Sequence, residues 1–144
     1  MSNSAYNGSS ADTGTVEVFD GTAWTRACGY DELTPGRGVA VLSASGRQIA
    51  VFRDRAGELY AVDNRDPFSG AYVLSRGLLG SRGGVPTLAS PMYKQVFDLR
   101  DGRCLDEDTT PDGAPAVLRL WPVRHTVRRG AAGSSSAALA GVGA

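Results

Sequence analysis

Apolar positions in this chain come in short runs broken by Gly, Pro, Asp and Ser, and the runs are rich in β-branched and aromatic residues. Such runs predict strands rather than helices. They fall at Ala23–Cys28, Gly38–Ser43, Gln48–Arg53, Leu59–Asp63, Thr87–Ser90, Gln95–Leu99, Ala116–Leu120 and Val123–Val127. Ser45-Gly46, Ala56-Gly57 and Asp101-Gly102 lie between neighbouring runs and suit tight hairpins, because glycine tolerates positive φ. Strands at a spacing of roughly 8–12 residues favour an all-β sandwich or barrel. One short helical turn is expected after Tyr30, capped by Asp31 and stopped by Pro35-Gly36. The segment Asn64–Pro86 is long for a connection, and its apolar residues Tyr72, Val73, Leu74, Leu78 and Leu79 predict a packed loop. A second loop runs through Ser90-Pro91-Met92-Tyr93.

Composition sharpens the boundaries. Residues 1–14 are rich in Ser, Asn and Gly, and residues 128–144 are small and almost uncharged beyond Arg128 and Arg129. Neither stretch buries enough apolar surface to offset its ordering entropy. Both are expected to be flexible tails around one domain at 15–127, within the usual domain size. No basic and apolar leader and no bilayer-spanning apolar run is visible, so a cytoplasmic location is expected. Fifteen basic residues balance fifteen acidic ones, which argues against a broad nucleic-acid-binding field. The 144 residues include a single His and two Cys, too few for a zinc site, an iron–sulfur cage or a disulfide scaffold.

Most chemical motifs fail on inspection. A catalytic triad would need His125, which sits in a predicted strand without a nucleophile elbow. Cys28 and Cys104 lack an active-site context and read as small buried hydrophobes with reduced thiols. Asp106-Glu107-Asp108 with Asp112-Gly113 lacks the spacing of a calcium loop and reads as a solvated loop. Leu79–Gly84 has glycines but no Lys-Ser/Thr, and reads as a flexible loop rather than a phosphate cradle.

The two loops carry a stronger signal. Asn64-x-Asp66 ends the run Leu59–Asp63, and Ser90-Pro91-x-Tyr93 leads into Lys94-Gln95-Val96-Phe97-Asp98-Leu99-Arg100-Asp101-Gly102. This layout resembles the Rieske-type domain, an antiparallel β-sandwich with two tip loops. In that family Cys-x-His and Cys-Pro-x-His hold a 2Fe–2S cluster. Here Asn64, Asp66, Ser90 and Tyr93 stand at the four ligand positions, while Pro91 and the Phe97-Asp98-Leu99…Gly102 hairpin are retained. An amide, a carboxylate, a hydroxyl and a phenol are not the two thiolates and two imidazoles such a cluster needs, so no cluster, metal or cofactor is expected in this chain.

A cluster-less Rieske-like domain with Asn64-x-Asp-Pro-Phe-Ser-Gly-Ala71, Val73-Leu-Ser-Arg-Gly77 and Ala89-Ser-Pro-Met-Tyr-Lys-Gln95 resembles the small subunit of assimilatory NAD(P)H-dependent nitrite reductase. That resemblance implies a non-catalytic subunit with no active site of its own. It would bind and support a large subunit carrying FAD, a 4Fe–4S centre and sirohaem, which reduces nitrite to ammonium. It also implies a tip, with Pro67, Phe68, Pro91 and Met92, that contacts this partner. Alternatively, Asn64, Asp66, Ser90 and Tyr93 hydrogen-bond one another and close the loops where metal would stand. Two other readings are a freestanding cluster-less interaction module and a Rieske-type electron-transfer ferredoxin, the latter opposed by the absent ligands.

Overall fold

Strand β4 (Gln48–Arg53) carries four consecutive buried residues, Ile49, Ala50, Val51 and Phe52. Successive side chains of a strand point to opposite faces, so a run like this must be covered on both sides. The computed structural model, which describes residues 13–127 and the backbone of 135–136, shows both covers. Ile49 and Val51 enter one core with Val16, Val18, Val41, Leu59, Trp121 and Val123. Ala50 and Phe52 enter a second core with Val62, Leu74, Leu88, Phe97, Leu99 and Leu118. Each buried Val, Leu, Ile or Phe contributes about 1.5–3 kcal/mol relative to exposure, so the middle sheet is stabilised from two directions.

The architecture is all-β and antiparallel. The middle sheet has the order β3 (Gly38–Leu42), β4, β5 (Leu59–Asp63). On one side lies the sheet of β1 (Thr15–Phe19), β2 (Trp24–Gly29) and β9 (Val123–Thr126). On the other lies the sheet of β6 (Leu78–Arg82), β7 (Val85–Ala89) and β8 (Val96–Asp98). The tails expected at 1–14 and 128–144 fall almost wholly outside the described residues. The exceptions are Thr13, Gly14 and the backbone of β10 (Ser135–Ser136), which pairs with β9.

The structure corrects the sequence reading at four places. Thr15–Phe19 is a strand with Val16 and Val18 buried in alternation, a signal present in Thr-Val-Glu-Val-Phe but not assigned. The Leu79–Gly84 stretch is not a flexible loop. It belongs to the β6–β7 hairpin, whose turn residues Gly83 and Gly84 both have positive φ, as a tight two-residue turn requires. Ala116–Leu120 is not a strand. Its ladder contacts are isolated, with Val117 opposite Arg103 and Leu120 opposite Val62, because the segment passes from one neighbour to another and Pro115 and Pro122 bound it. The turn after β2 is a single 3₁₀ turn, Tyr30–Glu32, preceded by Gly29 rather than capped by Asp31. Glu32 reaches back to accept the Gly29 N–H at 2.7 Å.

Two residues bind the sheets at their turns. The buried Asp20 carboxylate accepts the Thr22 and Ala23 N–H groups, each at 2.9 Å, and the Ser45 N–H at 3.0 Å. It thus ties the β1–β2 turn to the β3–β4 turn. In the hairpin after β8, Gly102 has φ +85° and backs directly onto the Leu118 carbonyl, leaving no room for a Cβ. Gly102→Ala is expected to destabilise the fold by about 2 kcal/mol or more, read from urea or thermal unfolding.

Acid sensitivity follows from three carboxylates. The Ala23, Thr22 and Ser45 donors hold Asp20 far below the usual carboxylate range. The Arg100 guanidinium lowers Asp98, and the Thr110 hydroxyl lowers Asp112. Each therefore binds its proton more weakly in the folded chain than in the unfolded one. Their stabilisation is complete above the unfolded pKa of about 3.9 and is lost as pH falls through the folded values. The melting temperature is expected to drop below about pH 4, and Asp20→Asn to flatten that drop while lowering stability at neutral pH.

Candidate functional site

Two loops meet at one end of the middle and third sheets. Loop 1 leaves β5 at Asn64, and loop 2 leaves β7 at Ser90. Loop 1 is closed by the Arg65–Tyr72 ladder contact, by Asp66 N–H donating to the Ala71 carbonyl at 2.8 Å, and by Gly70 N–H donating to the Asp66 carbonyl at 2.7 Å. In loop 2 the Ser90 N–H donates to the Gln95 carbonyl at 2.9 Å and the Lys94 N–H to the Ser90 carbonyl at 3.1 Å. Lys94 adopts φ +65°, unusual for a residue with a Cβ.

The loops are joined by one buried bond. Ser90 Oγ donates to Asp66 Oδ2 at 2.7 Å, with Asp66 fully buried and Ser90 2% exposed. Asp66 Oδ1 accepts the Phe68 N–H at 2.8 Å, and Ser90 Oγ accepts the Met92 N–H at 3.1 Å. Both side chains are therefore satisfied, as burial demands. Asn64, also buried, does not join this pair. Its Oδ1 accepts the Ser75 N–H at 2.7 Å, and its Nδ2 donates to the Tyr72 carbonyl at 3.2 Å and to Gln48 Oε1 at 3.4 Å. Asn64 thus anchors loop 1 to its own return segment and to β4. Tyr93 departs further from the four-residue closure: the residue is 58% exposed, and its side chain makes no hydrogen bond among the described residues.

These donors do not fit a 2Fe–2S cluster. The four positions offer no thiolate and no imidazole, and the oxygen atoms of Asn64, Asp66 and Ser90 are already engaged with protein donors. Among the described residues no group of three or more His, Cys, Asp or Glu side chains is placed to hold a metal ion. Cys28 lies in the first core, where burial pushes its thiol pKa up and makes it a poor nucleophile. Cys104 packs against the second core. His125 lies in β9, stacked on Tyr30 with ring centroids 3.9 Å apart, and its Nε2 is 2.6 Å from the Thr13 carbonyl.

The remaining tip residues divide between anchor and surface. Phe68 is half-buried and tilts against Phe97 with centroids 6.1 Å apart, tying loop 1 to the second core. Pro67 is half-buried beside it. Pro91, Met92 and Tyr93 are exposed, and Tyr93 borders a cleft of about 300 Å³ that is also lined by Phe68, Gln95, Glu107, Thr110 and Pro111. Sequence reasoning missed Tyr72 as a surface residue. Of the apolar residues expected to pack in this loop only Leu74 is fully buried, while Tyr72 and Leu78 stand exposed.

An all-β domain with two adjoining loops, the second bearing a Ser-Pro turn and running into a Phe-Asp-Leu hairpin, is a Rieske-like domain. The family model described as Rieske-like [2Fe-2S] domain matches residues 23–130. A Salmonella typhimurium nitrite reductase (NADH) small subunit is 43% identical over 86 residues, covering 59% of this chain and 79% of its own length. A crystal structure described as a putative NADH-dependent nitrite reductase small subunit from Mycobacterium tuberculosis shares 50% identity, with a TM-score of 0.57 over 67% of this chain and 95% of that one. The NMR structure of the E. coli protein NirD superimposes with a TM-score of 0.53 at 35% identity, over 69% of this chain and 96% of that one. The chain belongs to the family of nitrite reductase small subunits. It also matches part of a Klebsiella oxytoca nitrite reductase [NAD(P)H] large subunit, 44% identical over 101 residues, spanning about a tenth of that protein's length.

Ser90→Ala leaves the buried Asp66 Oδ2 without its cross-loop donor. The expected loss is about 1–3 kcal/mol of unfolding free energy. Asp66→Ala combined with Ser90→Ala should lose less than the two single variants together, measured as a double-mutant cycle by urea unfolding.

Proposed function

We propose that this chain is the non-catalytic small subunit of an NAD(P)H-dependent nitrite reductase, binding and supporting a large subunit that carries FAD, a 4Fe–4S centre and sirohaem and reduces nitrite to ammonium. The observation that carries the reading is the tip itself. Where the fold otherwise holds a redox cluster, the Asp66–Ser90 bond closes the loops with protein atoms. A domain built this way brings no redox group of its own, so its contribution to an oxidoreductase is through contact with the chain that does. That part of a Klebsiella oxytoca large subunit resembles this chain supports a working site beside the large subunit.

The exposed residues of the tip suit such a contact. Met92 and Tyr93 are 44% and 58% exposed, and side chains of these types are enriched at protein interfaces. The proposed location is the cytoplasm; no helix among the described residues is long and apolar enough to cross a membrane. An electron-transfer role for this chain alone would require the ligand set that the tip lacks.

Co-expression with the large subunit tests the reading. The expected result is a complex that co-purifies, with nitrite-dependent NAD(P)H oxidation that differs with and without this chain. Because neither exposed side chain closes the loops, Met92→Ala/Tyr93→Ala should weaken binding by about tenfold, the size of a modest interface contribution, with little change in melting temperature. Failure of the wild-type chain to associate would refute the assignment.

A further inference from the structure

Ion pairing among the arginines is uneven. Arg82, Arg100, Arg103 and Arg124 contact Asp106, Asp98, Asp101 and Glu17 respectively. Arg47, Arg65 and Arg119 are exposed, and none has a carboxylate at ion-pair distance among the described residues. Arg65, on loop 1, also lies within electrostatic reach of Asp112. Arg47, at the β3–β4 turn, lies over the Trp121 ring at 4.9 Å, and Arg119 lies over the same ring at 4.1 Å. That ring is buried and held by its Nε1–H, which donates to Asp63 Oδ1 at 2.8 Å. Arg65 sits on loop 1 opposite Tyr72. Arg47, Gln48, Asp63, Arg65 and Tyr72 line an open cleft of about 360 Å³, and the Asp63 N–H donates to the Arg119 carbonyl at 2.9 Å.

We propose that this arginine cleft is a docking surface for an acidic segment of the large subunit; the inference rests on the small-subunit reading and names the chemistry of its contact. Arg47 and Arg65 face a cleft whose own carboxylate, Asp63, is already engaged with the Trp121 indole, so their charge is poorly compensated there in the isolated domain. Carboxylates from a partner supply the missing counter-charge. Stacking on Trp121 holds two of the guanidiniums in place before binding, which reduces the side-chain entropy lost on docking. Their planar forks match carboxylates in bidentate fashion. The three side chains are exposed rather than enclosed, which suits a carboxylate-bearing chain better than a sequestered small anion. The cleft is also continuous with the tip through Tyr72, 55% exposed.

Charge placement orients the contact. The chain has no net charge, so overall attraction to a partner is weak, and steering depends on where the charges lie. On the other flank of the tip, Glu107 lines the Tyr93 cleft between Asp106 and Asp108. A partner that meets the arginine flank with acids is turned away from the acidic flank.

The test compares affinity for the large subunit between the full-length wild-type chain and the variant Arg47→Gln/Arg65→Gln/Arg119→Gln, at about 50 and 300 mM NaCl. Arg82→Gln removes an exposed arginine already paired elsewhere and serves as the control. Arg65→Gln, which disturbs no ring stacking, guards against loss of folding in the triple variant. The triple variant is expected to bind about tenfold more weakly at low salt with a shallower salt dependence, Arg65→Gln to fall between, and Arg82→Gln to match wild type. If wild type binds and the triple variant binds equally with the same salt dependence, the cleft assignment is overturned while the small-subunit reading stands. If phosphate displaces the complex at an ionic strength where chloride does not, the cleft is a small-anion site and the proposal is likewise overturned. If wild type does not bind the large subunit at all, both readings fall together.

Discussion

Burial of β4 on both faces is the constraint from which the rest of the molecule follows. Four apolar residues in succession cannot be hidden by one cover, since the pleat sends Ile49 and Val51 one way and Ala50 and Phe52 the other. The chain must therefore supply a sheet on each side. Val16, Val18 and Val123 provide one inner face, and Leu88 and Phe97 provide the other. The strand that follows, β5, obeys the same division, with Leu59 and Ala61 in the first core and Val62 in the second. Loop 1 springs from the end of this doubly covered strand, so it begins at a rigid point.

That rigidity explains how a tip can persist without metal. A cluster would hold two loops together by four strong bonds to iron. Here one hydroxyl–carboxylate hydrogen bond spans loops 24 residues apart in sequence, and its strength comes from being fully enclosed. A typical hydrogen bond contributes only about 0.5–1.5 kcal/mol net, but leaving the buried carboxylate oxygen unpaired is more costly than that. The asymmetry makes the pair a device for keeping loops together rather than a large source of stability. Asn64 and Phe68 add the anchoring that lets the bond form: the first ties loop 1 to β4 and its return segment, the second to Phe97. Met92 and Tyr93 are then presented outward on a fixed base.

Much of this was legible in the residues. The runs Gln48–Arg53 and Leu59–Asp63 match their strands at both ends because each is bounded by turn residues. The Ser45-Gly46 and Ala56-Gly57 turns fall where glycine's positive φ is used. Asn64, Asp66 and Ser90 stand out only through the resemblance to the Rieske-type frame, carried by Pro91 and the Phe97-Asp98-Leu99 hairpin. Three other features were not legible. Strand β6 has Gly80 inside it and exposes Leu78, so it lacks a strand's apolar alternation and is defined by its partner β7. The segment 116–120 has the composition of a strand but no single neighbour to pair with. Asn64 and Tyr93 looked equivalent to Asp66 and Ser90, yet their side chains leave the shared centre.

Sequence by itself determined the class of this protein. An all-β chain whose two loops keep the Rieske-like frame, and whose four ligand positions hold no sulfur or imidazole, is a cluster-less Rieske-like domain, because donor type is a property of each residue alone. Tertiary structure decided which of those four residues meet. It paired Asp66 with Ser90, gave Asn64 to its own loop, turned Tyr93 to the surface, and brought Arg47 from a distant turn onto the same Trp121 ring as Arg119. The physical reason is that a hydrogen bond or a stacking contact depends on angles and distances within a few tenths of an ångström, and these are set by how two cores pack around one strand rather than by the order of the residues.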